Sequence, residues 1–172
     1  LDIIFNTSNN MSLKVSCLVN YIGRNDKKEN IKNFYLQYRK NKVLLNKWFA
    51  TQIQYSTPKL ALDRLRELTT HSDFNMFNPN NFHSVIGTFA KRNFHAFHQE
   101  DGCGYKEIAD WIKKIDPENP QIAASTTKAF EQIKFLPNIY RTKAKASLNA
   151  LSNGNNLSKN TSEILNKIEA SL

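Results

Sequence analysis

The stretch His71-Ser72-Asp73-Phe74-Asn75-Met76-Phe77-Asn78-Pro79-Asn80-Asn81-Phe82-His83-Ser84-Val85-Ile86-Gly87-Thr88-Phe89 decides how this chain folds. It does so together with Asn93-Phe94-His95-Ala96-Phe97-His98-Gln99-Glu100-Asp101-Gly102-Cys103-Gly104-Tyr105 and Asn119-Pro120-Gln121-Ile122 beyond it. Asn78 before Pro79 is a helix start: the Asn side chain accepts from an orphan N–H of the first turn, and Pro fits where no donor is needed. Asn119-Pro120 repeats the device. Phe82, Val85, Ile86 and Phe89 fall at helical spacing, and Gly102 and Gly104 supply a turn into a helix from Tyr105. The stretch predicts helix, reversal, helix.

Outward from it, the apolar positions keep the same period. Met11, Val15, Leu18 and Ile22 mark a first helix that stops at Gly23, and Asn25 or Asp26 is placed to cap a second carrying Ile31, Phe34, Tyr35 and Tyr38 inward. Val43, Leu44, Trp48, Phe49 and Ile53 mark a third, and Thr57-Pro58 opens a fourth with Leu60, Leu62, Leu65 and Leu68 inward. After the quoted stretch, Ile108, Trp111, Ile112 and Ile115 lie on one side of a helix that Asp116-Pro117 stops. The next runs through Ile122, Ala129, Phe130 and Ile133, and Pro137 interrupts it before Ile139 to Leu151. Ser152-Asn153-Gly154-Asn155-Asn156 reads as a loop, and a last helix from Ser158 carries Ile164, Leu165 and Ile168. No alternating strand pattern is present. Helices of ordinary length joined by short turns predict an all-α fold, an array of stacked antiparallel helix pairs of the α-solenoid, ARM/HEAT-like superhelical kind, without a clean sequence period.

With 172 residues, one domain burying roughly 70% of its unfolded surface is expected. A hydrophobic fraction of 40% with only 5 Gly and 5 Pro excludes a disordered or loop-rich chain. Cys17 and Cys103 stand far apart, without metal or redox spacing, so disulfide scaffolding is not expected. No apolar run is long enough for a bilayer, and Leu1-Asp2-Ile3-Ile4-Phe5 lacks the basic flank of a signal peptide. A cytoplasmic protein is expected. With Leu1 rather than Met at its start, a processed product or an excised piece of something longer is an expectation.

The quoted motifs also carry a family resemblance. Asp73-Phe74, Asn78-Pro79-Asn80, Ile86-Gly87-Thr88-Phe89-Ala90, Phe97-His98, Glu100-Asp101-Gly102-Cys103-Gly104-Tyr105 and Asn119-Pro120-Gln121-Ile122-Ala123 resemble, in order, the C-terminal domain of bacterial aminopeptidase N, a gluzincin-type zinc metallopeptidase. Phe34-Tyr35 and Asn46-Lys47-Trp48-Phe49-Ala50-Thr51-Gln52 resemble it upstream. The resemblance implies a division into a flexible N-terminal segment or boundary over residues 1–9 and this helical domain over residues 10–172. It also implies a non-catalytic role: capping the active-site chamber of a peptide-trimming enzyme and restricting peptide access. The partner would be the parent's catalytic domain, and zinc would belong to that missing domain. In the family, arginines after the Asn-Pro-Asn and Asn-Pro-Gln motifs face the chamber. Here those positions hold Asn81, His83 and Ser125, so His83 and Ser125 are channel-lining candidates beside the plainer reading of polar helix surface.

The residues themselves offer no catalytic site. His-Glu-x-x-His, which sets two imidazoles and a general base on one helix face, is missing. His95 and His98, with Glu100, Asp101 and Cys103 nearby, suggest a metal site, but they lack a second ligand pair at a suitable distance and read more simply as surface or capping groups. Nothing next to Cys103 would lower its pKa. Gly102-Cys103-Gly104 lacks the Lys-Ser/Thr of a phosphate cradle. Finally, a formal net charge of +9 makes an acidic partner worth weighing. From Arg24 to Lys47 eight basic residues face only Asp26 and Glu29, which gives an alternative: a freestanding basic helical-repeat module that holds nucleic acid or another protein. Tyr35 and Tyr38 share spacing with Ile31 and Phe34, which makes them core rather than stacking platforms.

Overall fold

Asn78 starts the central helix in the expected way, its Oδ1 accepting from Asn81 N at 3.1 Å with Pro79 in the first turn. A computed structural model of the chain describes residues 1–153 and 156–171. Its order begins α1 (Asp2–Thr7), α2 (Met11–Gly23), α3 (Lys28–Tyr38), α4 (Lys42–Gln54), α5 (Pro58–Thr69) and α6 (Pro79–Phe82). A π turn (His83–Gly87) joins α6 to α7 (Thr88–Arg92), followed by α8 (Phe94–Phe97), α9 (Cys103–Ile115) and α10 (Pro120–Thr127). A 3₁₀ segment (Lys128–Phe135), α11 (Asn138–Ser152) and α12 (Lys159–Glu169) complete it, and no strand occurs among the described residues. Gly154 and Asn155 of the expected loop lie outside the described residues.

The π turn is the feature that helical spacing alone does not reveal. It inserts one residue into the ladder, and Thr88 Oγ1 donates to His83 O at 3.1 Å within it. Phe82, Val85, Ile86 and Phe89 are nevertheless all fully buried. Asn93 then ends α7: its Nδ2 donates to Ile53 O at 2.8 Å and Ser56 O at 3.0 Å, while its Oδ1 accepts from Ala96 N at 3.2 Å. One side chain thus closes one helix, caps the next and ties both to the end of α4. At the following reversal the two glycines differ in purpose. Gly102 takes a left-handed φ of +79°, whereas a Cβ on Gly104 would come within 2.5 Å of Phe97 O.

Neighbouring helices joined by short turns pack on one another: α1 on α2, α2 on α3, α3 on α4, and α4 on α5 and the π turn. In the second half α9 packs on α10 and α11, and α12 on α10 and α11. The result is an all-α array of stacked helix pairs in the ARM/HEAT manner, with one continuous core from Phe5 to Ile168. α12 is latched by a buried carboxylate. Asp116, 2% exposed, accepts at 2.6 Å from Ser158 N and at 2.6 Å from Ser158 Oγ, and Thr161 Oγ1 donates to the same group.

Several expectations change. Residues 1–9, read as a flexible segment or boundary, contain α1, because Phe5 finds a buried place 5.5 Å from the Tyr21 ring and Asp2 accepts from Tyr21 OH at 2.7 Å. The second helix is entered through Lys27 at φ +51° with no side-chain cap, not through Asn25 or Asp26. Val43 is 73% exposed and Leu60 37% exposed, since the inward stripes are Leu45, Trp48, Phe49, Ile53 on α4 and Ala61, Leu65, Leu68 on α5. A small Ala at the right angle outranks a larger Leu one position earlier.

Candidate functional site

A concave surface of about 690 Å³ opens where α4, the π turn, α7 and Ser125 of α10 meet. It contains both channel-lining candidates, His83 and Ser125, although 42 positions separate them in the chain. The turn makes room for His83: Gly87 follows it on the same face, and a Cβ there would approach His83 Nδ1 to 2.9 Å. Ser125, on α10, is reached by Lys91 Nζ at 3.3 Å. Asn81, named with them in the sequence, does not join them. It is 6% exposed, its Oδ1 accepts from Asn75 N at 2.5 Å, and its Nδ2 donates to Asn46 Oδ1 at 2.9 Å.

Three cations, Lys47, Lys91 and Arg92, line this surface, and none of its lining residues is Asp or Glu. Burial lowers the His83 pKa, and repulsion from Lys91 lowers it further, so a neutral imidazole is favoured. Lys91 is itself lowered, first by burial and then by Lys128. The surface can therefore attract anionic groups and offer N–H and O–H donors. Sequence reading placed Lys47 only in the basic Arg24–Lys47 region and did not single out Lys91 or Arg92. The signal for Lys91 was spacing, since His83, Gly87 and Lys91 recur every four residues, but the π turn shifts the helical register between them.

The other motifs resolve differently. His95 is exposed, His98 Nδ1 lies 2.8 Å from Tyr105 OH, and Asp101 accepts from Cys103 N at 2.9 Å. Among the described residues no group of three His, Cys, Asp or Glu side chains is gathered to hold a metal ion. Burial, followed by the hydrogen bond to Asp101, pushes the Cys103 thiol up to about 11, the opposite of an activated nucleophile. In the basic region, Lys27 Nζ pairs with Asp2 at 2.9 Å and the Tyr35 ring packs 4.9 Å from Trp48. Tyr38 packs 4.8 Å from Phe34, so neither tyrosine is a free stacking platform. No helix among the described residues is long and apolar enough to cross a membrane.

Comparison with known proteins places this geometry in a family. Residues 3–170 match the family described as "Domain of unknown function (DUF3458_C) ARM repeats". The chain is 34% identical over 137 residues to aminopeptidase N of Caulobacter vibrioides, a match covering 80% of this chain and 16% of that protein. It is 31% identical over 140 residues to aminopeptidase N of Haemophilus influenzae, with 81% and 16% covered. Aminopeptidase N of Escherichia coli is 33% identical over 131 residues, with 76% and 15% covered. The crystal structure of Legionella pneumophila aminopeptidase A in complex with aspartic acid superposes with a TM-score of 0.89 at 23% identity, covering 95% of this chain and 19% of that one. At that identity the likeness is one of fold. The chain thus spans only about 16% of the length of its first curated relatives, and the matched region is their C-terminal part. Matched along nearly its whole length, the chain belongs to the DUF3458_C family of ARM-repeat domains, the kind of helical domain that ends bacterial aminopeptidase N.

Proposed function

We propose that this chain is the non-catalytic C-terminal helical domain of a zinc aminopeptidase that removes N-terminal residues from peptides. It would dock on the catalytic domain and close the active-site chamber, so that peptides arrive through a restricted channel and bulk water is kept out. The observation that carries the reading is the match to one end of three bacterial aminopeptidases N, each several times longer than this chain. Zinc and the hydrolytic groups would reside in the catalytic domain. The concave surface around His83, Lys91 and Ser125 would face the channel, where its cations attract the carboxylates of passing peptides. The working compartment would be the cytoplasm.

The test is the mass of the native gene product, by immunoblot of source cells with an antibody against this chain, followed by mixing the chain with the catalytic portion of that product. A species several-fold heavier than 19.8 kDa, and a compact particle re-formed from the two parts, are the expected results. A native product of this chain's own size, or two parts that stay separate on a sizing column, would overturn the reading and return the freestanding basic module to the front.

A further inference from the structure

A second groove, between α3, α4 and α5, takes no part in the function above. It encloses about 360 Å³, the size of a small-ligand site. One wall is aromatic: the Tyr35 ring lies 4.9 Å from Trp48 and 4.9 Å from His71, and Trp48 lies 5.4 Å from His71. These rings are fixed in place. Trp48 Nε1 donates to Ile31 O at 3.0 Å, Tyr35 OH donates to Asp73 at 2.7 Å, and His71 Nδ1 accepts from Asp73 N at 3.1 Å.

The rim carries the opposite chemistry. Lys28 and Lys32, four residues apart on α3, share it with Arg64, and the single carboxylate lining the groove, Glu67, is already 2.9 Å from Arg64. That leaves the two exposed lysines without a carboxylate in the groove. Gln52 adds a third feature. It lines the groove, is 2% exposed, and its Nε2 has no hydrogen-bond partner. A buried amide donor without an acceptor marks a place where an acceptor belongs, and the broad terminal torsion of Gln lets the amide turn toward the groove.

We propose that this groove binds a small organic anion: a planar aromatic ring packed edge-on against the Tyr35 and Trp48 wall, with its carboxylate held by Lys28, Lys32 and the Gln52 amide. Edge-to-face ring packing supplies the shape preference, and the unbalanced cations supply the charge preference. The site is independent of the aminopeptidase reading, because nothing in it requires a second domain.

The experiment is an ¹H–¹⁵N NMR titration of the intact chain with 2-naphthoate, compared with its neutral analogue 2-naphthylmethanol and with acetate. The expected result is saturable movement of the Trp48 indole N–H and the Gln52 side-chain amide, with naphthoate binding tighter than either control. Lys28→Gln combined with Lys32→Gln changes only exposed side chains. It should weaken naphthoate roughly fivefold and leave naphthylmethanol unchanged. Gln52→Leu, which removes the orphan amide without a polar replacement, should fold and bind naphthoate more weakly than the parent. Shifts confined to Trp111, equal affinity for charged and neutral probes, or naphthoate affinity unmoved by the lysine pair would overturn the proposal.

Discussion

His98 shows how one side chain couples local packing to solution behaviour. Its ring lies 4.3 Å from the tilted Phe94 ring and its Nδ1 meets Tyr105 OH, and burial pulls its pKa from the ordinary 6.5 down to about 4. The unfolded chain therefore takes up a proton near pH 6.5 that the folded chain refuses until about pH 4. Stability from this group is complete above pH 6.5 and is lost as pH falls through that window, by at most ~1.4 kcal/mol per unit. His98→Gln keeps an acceptor for Tyr105 and removes the titration. Denaturant midpoints between pH 7 and 4 should consequently fall less steeply in the variant, and parallel curves would contradict the assignment. Gly104 is the other residue-scale case. A methyl group there meets Phe97 O at 2.5 Å and Ala96 O at 2.8 Å, both backbone atoms that cannot swing away. Gly104→Ala should cost about 1–3 kcal/mol, read as a lower urea midpoint at unchanged slope.

Among the elements, α8 and α12 depend on polar latches more than on their length. α8 has only four residues and is held by Asn93, whose amide bonds Ile53 O, Ser56 O and Ala96 N at once. Asn93→Ala removes all three and strands the buried Ile53 carbonyl and the half-buried Ser56 carbonyl. The expected loss is about 3 kcal/mol, with hydrogen-exchange protection falling first in α8 and at the end of α4. α12 carries Leu165 and Ile168 to the core, but the Ser158 and Thr161 donors on Asp116 fix where it starts. Asp116→Ala should release this helix by roughly 3 kcal/mol while α1–α5 keep their protection, and uniform loss of protection across the chain would refute so local a role.

At the scale of the whole molecule, charge and shape point to different partners, and they are separable. The excess of basic residues between Arg24 and Lys47 predicts retention on a polyanion column, but with Tyr35 and Tyr38 packed against Trp48 and Phe34 the contact should be one of charge alone. Retention should accordingly vanish at moderate salt and show no preference for sequence or length. Binding that survives high salt with a sequence preference would contradict this. The concave surface at the π turn is a different matter, because its cations line a hollow.

Much of this protein was legible in its residues. Helix starts at Asn78-Pro79 and Asn119-Pro120, the reversal at Gly102 and the apolar stripes of α2 and α9 follow from hydrogen-bond geometry and a period of 3.6, which act between neighbours in sequence. The motif order was enough to indicate the family. Tertiary structure alone decided the rest, because it depends on contacts between distant residues. It turned the first residues into a helix once Tyr21 and Phe34 were there to receive Phe5. It drew Asn81 inward to Asn46 and set His83, Lys91 and Ser125 around one hollow. Local spacing states which face of a helix is apolar; only packing states what that face meets, and which polar residues are left together on the other side.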